Sequence, residues 1–300
     1  MKVALIQFDG SLPNLALMKL SSYYKQQGAK VQLNDISGAD KIFVSCIFDW
    51  NKSQALGITK MFSNVCIGGP GIDLNKQLPN EIEHIKPDYS LYDLDYSMGF
   101  TSRGCIRNCP FCIVPKKEGY IKDHAPISEF YDESHTNLIL LDNNFLASPR
   151  CLENLDYLIN NDIYVNFHQG LDIRLVNEEN IGLLYSVNSY DHKFNKLSYY
   201  FAWDLMKDEK QVRKGIHSLL EYGFKADQLM FYMLVGFNTT FEEDMHRFNV
   251  LRGFGVRPFV MKYNNCQDKK LNRFARWVNR PNRLYEFVEF ENYTRKKIVA

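Results

Sequence analysis

The sequence predicts an α/β protein in two successive parts, a doubly wound parallel sheet followed by a partial (β/α) barrel of six strands. Three observations predict this. Short apolar runs alternate with helix-spaced stretches along most of the chain, the pattern of parallel strands joined by crossover helices. The alternation breaks once, at the polar and aromatic stretch Pro87-Asp88-Tyr89-Ser90-Leu91-Tyr92-Asp93. After the break, each apolar run ends in polar residues, as at the carboxyl ends of barrel strands. The chain has 300 residues, 45% hydrophobic and 24% charged, which suits one large or two moderate globular domains.

In order, residues 3–7 read as a first strand, and Asn14 opens a helix-spaced run that stops at Gly28, a C′ position. Strands are predicted over 31–33, 42–47 and 65–67, with a helix over 54–62. The last strand runs into Gly68-Gly69-Pro70-Gly71, a turn open to two readings: close approach of a ligand, or only a turn. This part, residues 1–95, is expected to be a Rossmann or flavodoxin-like sheet. It ends in a short helix over 81–86 and the proline-containing connection.

Six strand candidates follow, over 96–101, 138–141, 163–167, 197–202, 229–235 and 257–263, with helices over 150–160, 177–187, 209–222 and 241–254 between them. Six units over residues 96–268 predict a partial TIM-type barrel rather than a full eightfold one. Functional groups in such barrels gather at the carboxyl ends of the strands. The polar groups there are the cysteine loop, Asp142-Asn143-Asn144, His168 to Arg174, Trp203-Asp204, Gly236 to Thr240 and Asn264-Asn265.

The stretch Arg103-Gly104-Cys105-Ile106-Arg107-Asn108-Cys109-Pro110-Phe111-Cys112 holds three of the seven cysteines in the spacing C-x3-C-x2-C. Random placement would produce such a triplet about 0.004 times per chain, so the clustering has a cause. Thiolates on a short loop suit an iron–sulfur cluster, and three ligands on a four-iron cluster leave one iron open for chemistry. Zinc is the alternative, with His124 or His135 as a fourth ligand, although zinc knuckles usually come in pairs. Seven cysteines without a paired framework suit a reducing, cytoplasmic setting, and no apolar stretch is long enough to span a membrane.

The cysteine loop resembles the signature of the radical S-adenosylmethionine (radical SAM) superfamily, and residues 1–95 resemble the cobalamin-binding-like domain that precedes many of its barrels. The resemblance implies that Cys105, Cys109 and Cys112 hold a 4Fe-4S cluster whose open iron chelates S-adenosyl-L-methionine. Cleavage of that cofactor to a 5′-deoxyadenosyl radical would then abstract hydrogen from a substrate the sequence does not name. It implies Phe111 near the adenine, and an electron donor such as flavodoxin or ferredoxin as partner. Asp142 or Asn143 would take the methionine ammonium, although the family's Gly-Gly-Glu motif is absent. Gln169, Asp172 and Arg174, in a run like the family's Q-G-L-D-x-R motif, would hold ribose hydroxyls and carboxylate. Val235 and Gly236 would meet the adenine through their backbone.

Two departures matter. The cobalamin-ligating D-x-H-x2-G motif is missing, so cobalamin bound through a histidine is not expected; a cobalamin-using methyl transfer is the alternative within the family. Only Cys46 and Cys66 lie in the N-terminal half, both in apolar strands where buried, inert thiols are expected, which speaks against methylthiolation.

The extension 269–300 is expected to pack on the barrel. Between 269 and 297 it carries nine Lys or Arg against three Glu, within a chain of net charge +1, and interleaves Phe274, Trp277, Tyr285, Phe287, Phe290 and Tyr293. Such a mixture suits nucleic-acid binding, and equally an amphipathic helix packed on the barrel. A non-catalytic, metal-stabilised nucleic-acid-binding protein is therefore the reading from another class.

Overall fold

The computed structural model of the chain describes residues 1–293, the side chain of Asn265 excepted. In the first part, β1 (Lys2–Gln7), β2 (Lys30–Leu33), β3 (Lys41–Ser45) and β4 (Val65–Gly68) form one parallel sheet in the order β2-β1-β3-β4. The period-2 alternation of β1 decides its two faces. Val3 and Leu5 pack with Leu17, Leu20 and Tyr24 of α1 (Leu15–Gln26), whereas Ala4 packs with Ile42 and Val44 toward Ile58 of α2 (Lys52–Met61). The Asn14 side chain caps α1 by accepting from Leu17 N at 3.1 Å, and Gly28 follows its end at φ +75°.

The Gly-Gly-Pro-Gly turn proves to be a packing device. A Cβ on Gly69 would stand 2.3 Å from the Cys46 carbonyl oxygen, and one on Gly71 2.7 Å from the Phe48 backbone. The glycines are required by the neighbouring loop of the same sheet. Cys46 is buried as expected, but Cys66 is exposed, because β4 is the edge strand and one face of it lacks a partner.

A short α3 (Asn80–Glu83) leads into the connection, whose Tyr89 is 5% exposed. The Tyr89 hydroxyl donates to Met98 O and accepts from Met98 N, each at 3.1 Å, so the connection is stitched to β5 (Tyr96–Gly99). Met18 of α1, Tyr89, Met98 and Ile139 form one apolar cluster across the junction.

The second part contains β5, β8 (Asn137–Leu140) and β9 (Tyr164–Phe167) in one parallel sheet and β10 (Tyr199–Ala202), β11 (Leu229–Val235) and β12 (Arg257–Lys262) in another. A parallel bridge between Leu171 and Phe201, with Leu171 N donating to Tyr200 O at 2.7 Å, joins them after β9. All six predicted strands exist. The first is shorter than predicted: the chain leaves β5 after Gly99 and forms β6 (Ser102–Arg103), which pairs antiparallel with β7 (Lys122–Asp123) across the cysteine loop. That loop carries α4 (Val114–Lys117), and α5 (Ile127–Phe130) follows β7.

Helices α6 (Cys151–Asn160), α7 (Ile181–Ser186), α8 (Glu209–Tyr222) and α9 (Phe241–Gly253) alternate with these strands. Leu229, Phe231, Met233 and Val235 of β11, all 0% exposed, share the main core with Val212, Ile216 and Leu219 of α8. The C-terminal α10 (Lys269–Val278) closes the same core. Phe274, Trp277, Tyr285, Phe290 and Tyr293 are buried, leaving Phe287 as the exposed aromatic among the six. Arg273 spends its guanidinium on the carbonyls of Phe290, Glu291 and Tyr293. Five of the six aromatics in the nucleic-acid reading are therefore core residues; Arg295, Lys296 and Lys297 lie outside the described residues. Among the described residues, no helix is long and apolar enough to cross a membrane.

Candidate functional site

The cysteine loop begins at Gly104, whose φ of +85° and close approach to Tyr120 O, 2.5 Å from a hypothetical Cβ, admit only glycine. Its N–H is held between Asn143 Oδ1 at 3.1 Å and Glu118 Oε2 at 3.3 Å. Glu118 also pairs with Arg103 at 2.9 Å, so the two ends of the loop are clamped. Cys105 N donates to Gly119 O at 3.2 Å, and Cys112 N to Cys109 O at 3.0 Å.

Polar hydrogens meet two of the three sulfurs. Cys105 Sγ accepts from Arg107 N at 3.3 Å and Asn144 Nδ2 at 3.5 Å, and Cys112 Sγ accepts from Val114 N at 3.5 Å. Such donors favour thiolate over thiol. Burial acts the other way, raising the thiol pKa of Cys109 and Cys112; Arg174 partly offsets it at Cys109. Cys112, desolvated yet supplied with an N–H donor, fits a positively charged iron partner. Among the described residues, no three His, Cys, Asp or Glu side chains converge as they would on a single metal ion. In a cluster each thiolate binds its own iron, so convergence on one point is not required.

The strand ends meet this loop through an ionic network. Asp172, after β9, accepts from Arg107 Nε at 2.9 Å and Asn144 Nδ2 at 3.4 Å, and from Arg174 at 2.7 and 3.0 Å. Burial pulls the Asp172 carboxyl upward, but the Arg174 and Arg107 guanidiniums outweigh it and hold the group below the usual carboxylate range. Arg174 also reaches Asp208 at 2.8 Å. Asp204, after β10, accepts from Leu234 N at 3.0 Å, and burial pushes its carboxyl up to about 6. A fully buried Arg247 on α9 braces that corner by donating to Trp203 O and Leu234 O, both at 2.7 Å, and to Asp244 at 2.6 Å.

The predicted site residues divide. Phe111 packs edge-on against Phe237 with centroids 5.6 Å apart, and Phe237 against Tyr263 at 4.9 Å, forming an aromatic wall from the loop to the ends of β11 and β12. Asp142 is anchored by the chain before it. It is 3% exposed and accepts four hydrogen bonds, from the amides and hydroxyls of Thr101 and Ser102 at 2.6–3.1 Å. Three of these bonds fall on Oδ1 and one on Oδ2, so Asp142 is anchored as a strut where the chain bends out of β5. Asn143 is likewise engaged by Gly104. Asp172 and Arg174 are engaged chiefly by each other and by the loop. Gln169 is exposed and makes no hydrogen bond among the described residues. The Val235 side chain is buried in the core, leaving only its backbone available, and Gly236 sits at φ +79°.

Sequence reasoning gave Arg107 no role, and named Asn144 and Asp204 only among the polar groups at the strand ends. Asn144 is 4% exposed, contacts both Cys105 and Asp172, and keeps a buried Oδ1 that accepts no hydrogen bond among the described residues. Its place in the run Asp142-Asn143-Asn144 was the available signal, but three adjacent polar residues do not reveal which one faces inward.

No protein-family model matches the chain, and no curated protein matches it. Among solved structures, the chain is similar to the apo, selenomethionine-labelled form of OxsB, a cobalamin-dependent S-adenosylmethionine radical enzyme. The TM-score is 0.40 at 14% identity over 87% of this chain, which spans 49% of that one. The chain is thus about half the length of that enzyme. What the structure defines by itself is a mixed α/β protein of parallel sheets with a cysteine loop at the strand ends.

Proposed function

We propose that this chain is a radical SAM protein in which Cys105, Cys109 and Cys112 hold a 4Fe-4S cluster. The reading takes residues 1–95 as a Rossmann or flavodoxin-like domain, 96–268 as a six-stranded partial barrel and 269–300 as an extension packed on it. The sheet order β2-β1-β3-β4 and the succession of six parallel strands favour those assignments. The observation that carries the proposal is the seating of the C-x3-C-x2-C loop against the β9 end, with N–H donors on Cys105 and Cys112.

Bound there, a cluster with an open iron supplies one-electron cleavage of S-adenosyl-L-methionine to a 5′-deoxyadenosyl radical. The chain's own residues provide position and exclusion of water. Arg107 and Asp172 fix the loop, Asn144 offers its unpartnered buried Oδ1 to a donor such as the methionine ammonium, and Phe111 with Phe237 covers an apolar side. Cobalamin is not part of the proposal: the first histidine, His84, is paired with Glu129 at 2.9 Å, and the glycine turn is filled by neighbouring backbone.

Anaerobic reconstitution with iron and sulfide, then dithionite and S-adenosyl-L-methionine, tests it. The expected result is 5′-deoxyadenosine without added substrate, and loss of both the cluster absorbance and this product in Cys109→Ala. A loaded four-iron protein that releases none would count decisively against the reading.

A further inference from the structure

At the amino-terminal ends of β10, β11 and β12, away from the cysteine loop, a cleft of about 380 Å³ opens to solvent. Its wall comes from two parts of the chain. Lys196 and Leu197 lead into β10, Asp227 precedes β11 and Arg257 is the first residue of β12, whereas Pro281 and Arg283 belong to the turn after α10. The barrel strands and the C-terminal extension thus share the cleft.

Three cations line this cleft against one carboxylate. The Arg257 guanidinium, the Lys196 ammonium and the Asp227 carboxylate form no ion pair or side-chain hydrogen bond among the described residues, so Asp227 leaves the two cations unmatched. Arg283 is 3.1 Å from Glu286, but both side chains are partly exposed, where such a pair contributes little. Unmatched cations at a concave site concentrate positive potential, and a guanidinium is suited to two-pronged contact with phosphate oxygens. Arg283 also stands at φ +48°, in the left-handed region that costs free energy for a residue with a Cβ. A side chain kept under such strain points to a role, and the cleft wall is where this one lies. A water takes up about 30 Å³, so the cleft is several times larger than a bare phosphate needs. The rest of the lining describes the rest of the ligand. Asp227 repels an anion but accepts from a hydroxyl, and Leu197 and Pro281 offer apolar contact to carbon. Among the described residues no aromatic side chain lines the cleft, so nothing in it stacks on a base.

We propose that this cleft binds a small phosphorylated sugar or polyol, its phosphate held by Lys196, Arg257 and Arg283 and a hydroxyl by Asp227. The volume suits one small ligand rather than a polymer. Such a ligand bridges barrel and extension, so its binding fastens the turn at residues 281–283 to the strand ends. The inference is independent of any reading of the cysteine loop, which lies at the other end of the strands.

The test uses the full chain without reconstituted cluster, so its outcome is independent of iron loading and 5′-deoxyadenosine release. Calorimetric titration at low salt is made with glycerol 3-phosphate, ribose 5-phosphate and glucose 6-phosphate, with glycerol, ribose and glucose, with inorganic phosphate and with a single-stranded oligonucleotide. At least one phosphate ester is expected to bind about ten times or more tighter than phosphate and than its own unphosphorylated counterpart, and to weaken as salt is raised. Arg257→Gln should lower that ester's affinity about tenfold. Arg283→Gly should do the same while melting no lower than the parent, because glycine relieves the left-handed strain, which separates lost binding from lost folding. Asp227→Ala should weaken the ester but not phosphate. No saturation by any ester up to about 5 mM, phosphate or the oligonucleotide binding as tightly as the best ester, or parent-like ester binding by both arginine variants would each overturn the proposal.

Discussion

Arg107 Nε donates to Asp172 Oδ2 at 2.9 Å across 65 residues of sequence, tying the middle of the cysteine loop to the end of β9. Replacing Asp172 by Asn leaves two guanidiniums without their shared carboxylate. A loss of about 2 kcal/mol is expected, with reduced iron uptake on reconstitution, read by thermal melting and iron assay. Because the Asp172 carboxyl is held below its ordinary value of 3.8, its contribution is complete above that pH and is lost as the pH falls through the lower native value.

Gly104 and Gly119 both adopt positive φ, at +85° and +73°, but only Gly104 has backbone within reach of an added Cβ. Gly119→Ala should cost about 1 kcal/mol, the strain of the left-handed region alone. Gly104→Ala adds displacement of Tyr120 and should cost about 2–3 kcal/mol together with most of the cluster loading. Equal effects of the two variants on melting and iron content would show that close approach at Gly104 is unimportant.

Glu83 links the end of α3 to Lys19 at 2.9 Å and to His124 at 3.2 Å. Burial opposes ionisation, but His124 and Lys19 prevail and bring its carboxyl from 4.5 down to about 2. The stabilisation is therefore present above pH 4.5 and lost progressively down to about 2. Glu83→Gln should remove this part of the acid unfolding slope. At pH 7 it should cost about 2 kcal/mol by leaving Lys19, whose side chain is 5% exposed, without a carboxylate.

Trp277 is 0% exposed and donates through Nε1 to Val288 O at 2.7 Å, whereas Phe287 is 78% exposed. Trp277→Ala should cost about 3–5 kcal/mol, and Phe287→Ala within about 0.5 kcal/mol. Denaturant unfolding measures both. A stable Trp277→Ala would contradict the placement of α10 in the core.

Legibility followed the range of the interactions. The strands were readable because each is a short apolar run between polar or helix-spaced stretches, as in the β11 sequence LMFYMLV, a signal carried entirely by local sequence. The cysteine loop was readable because spacing is itself sequence. The anchoring of Asp142 was not readable for the opposite reason: its four donors sit at Thr101 and Ser102, about forty residues back. No local pattern distinguishes an anchored carboxylate from a free one. Cys66 was misread because its strand lies at a sheet edge, which depends on sheet order rather than on the strand's own residues.

By itself the sequence determined the alternation of strands and helices, the break near residue 90 and the three cysteines of the loop, because each is written in periodicity or spacing over a few residues. The tertiary structure decided which polar residues face the loop and that five of the six named aromatics of the tail are core. Those outcomes rest on contacts between distant segments, whose energies depend on desolvation and on partners that only folding brings together.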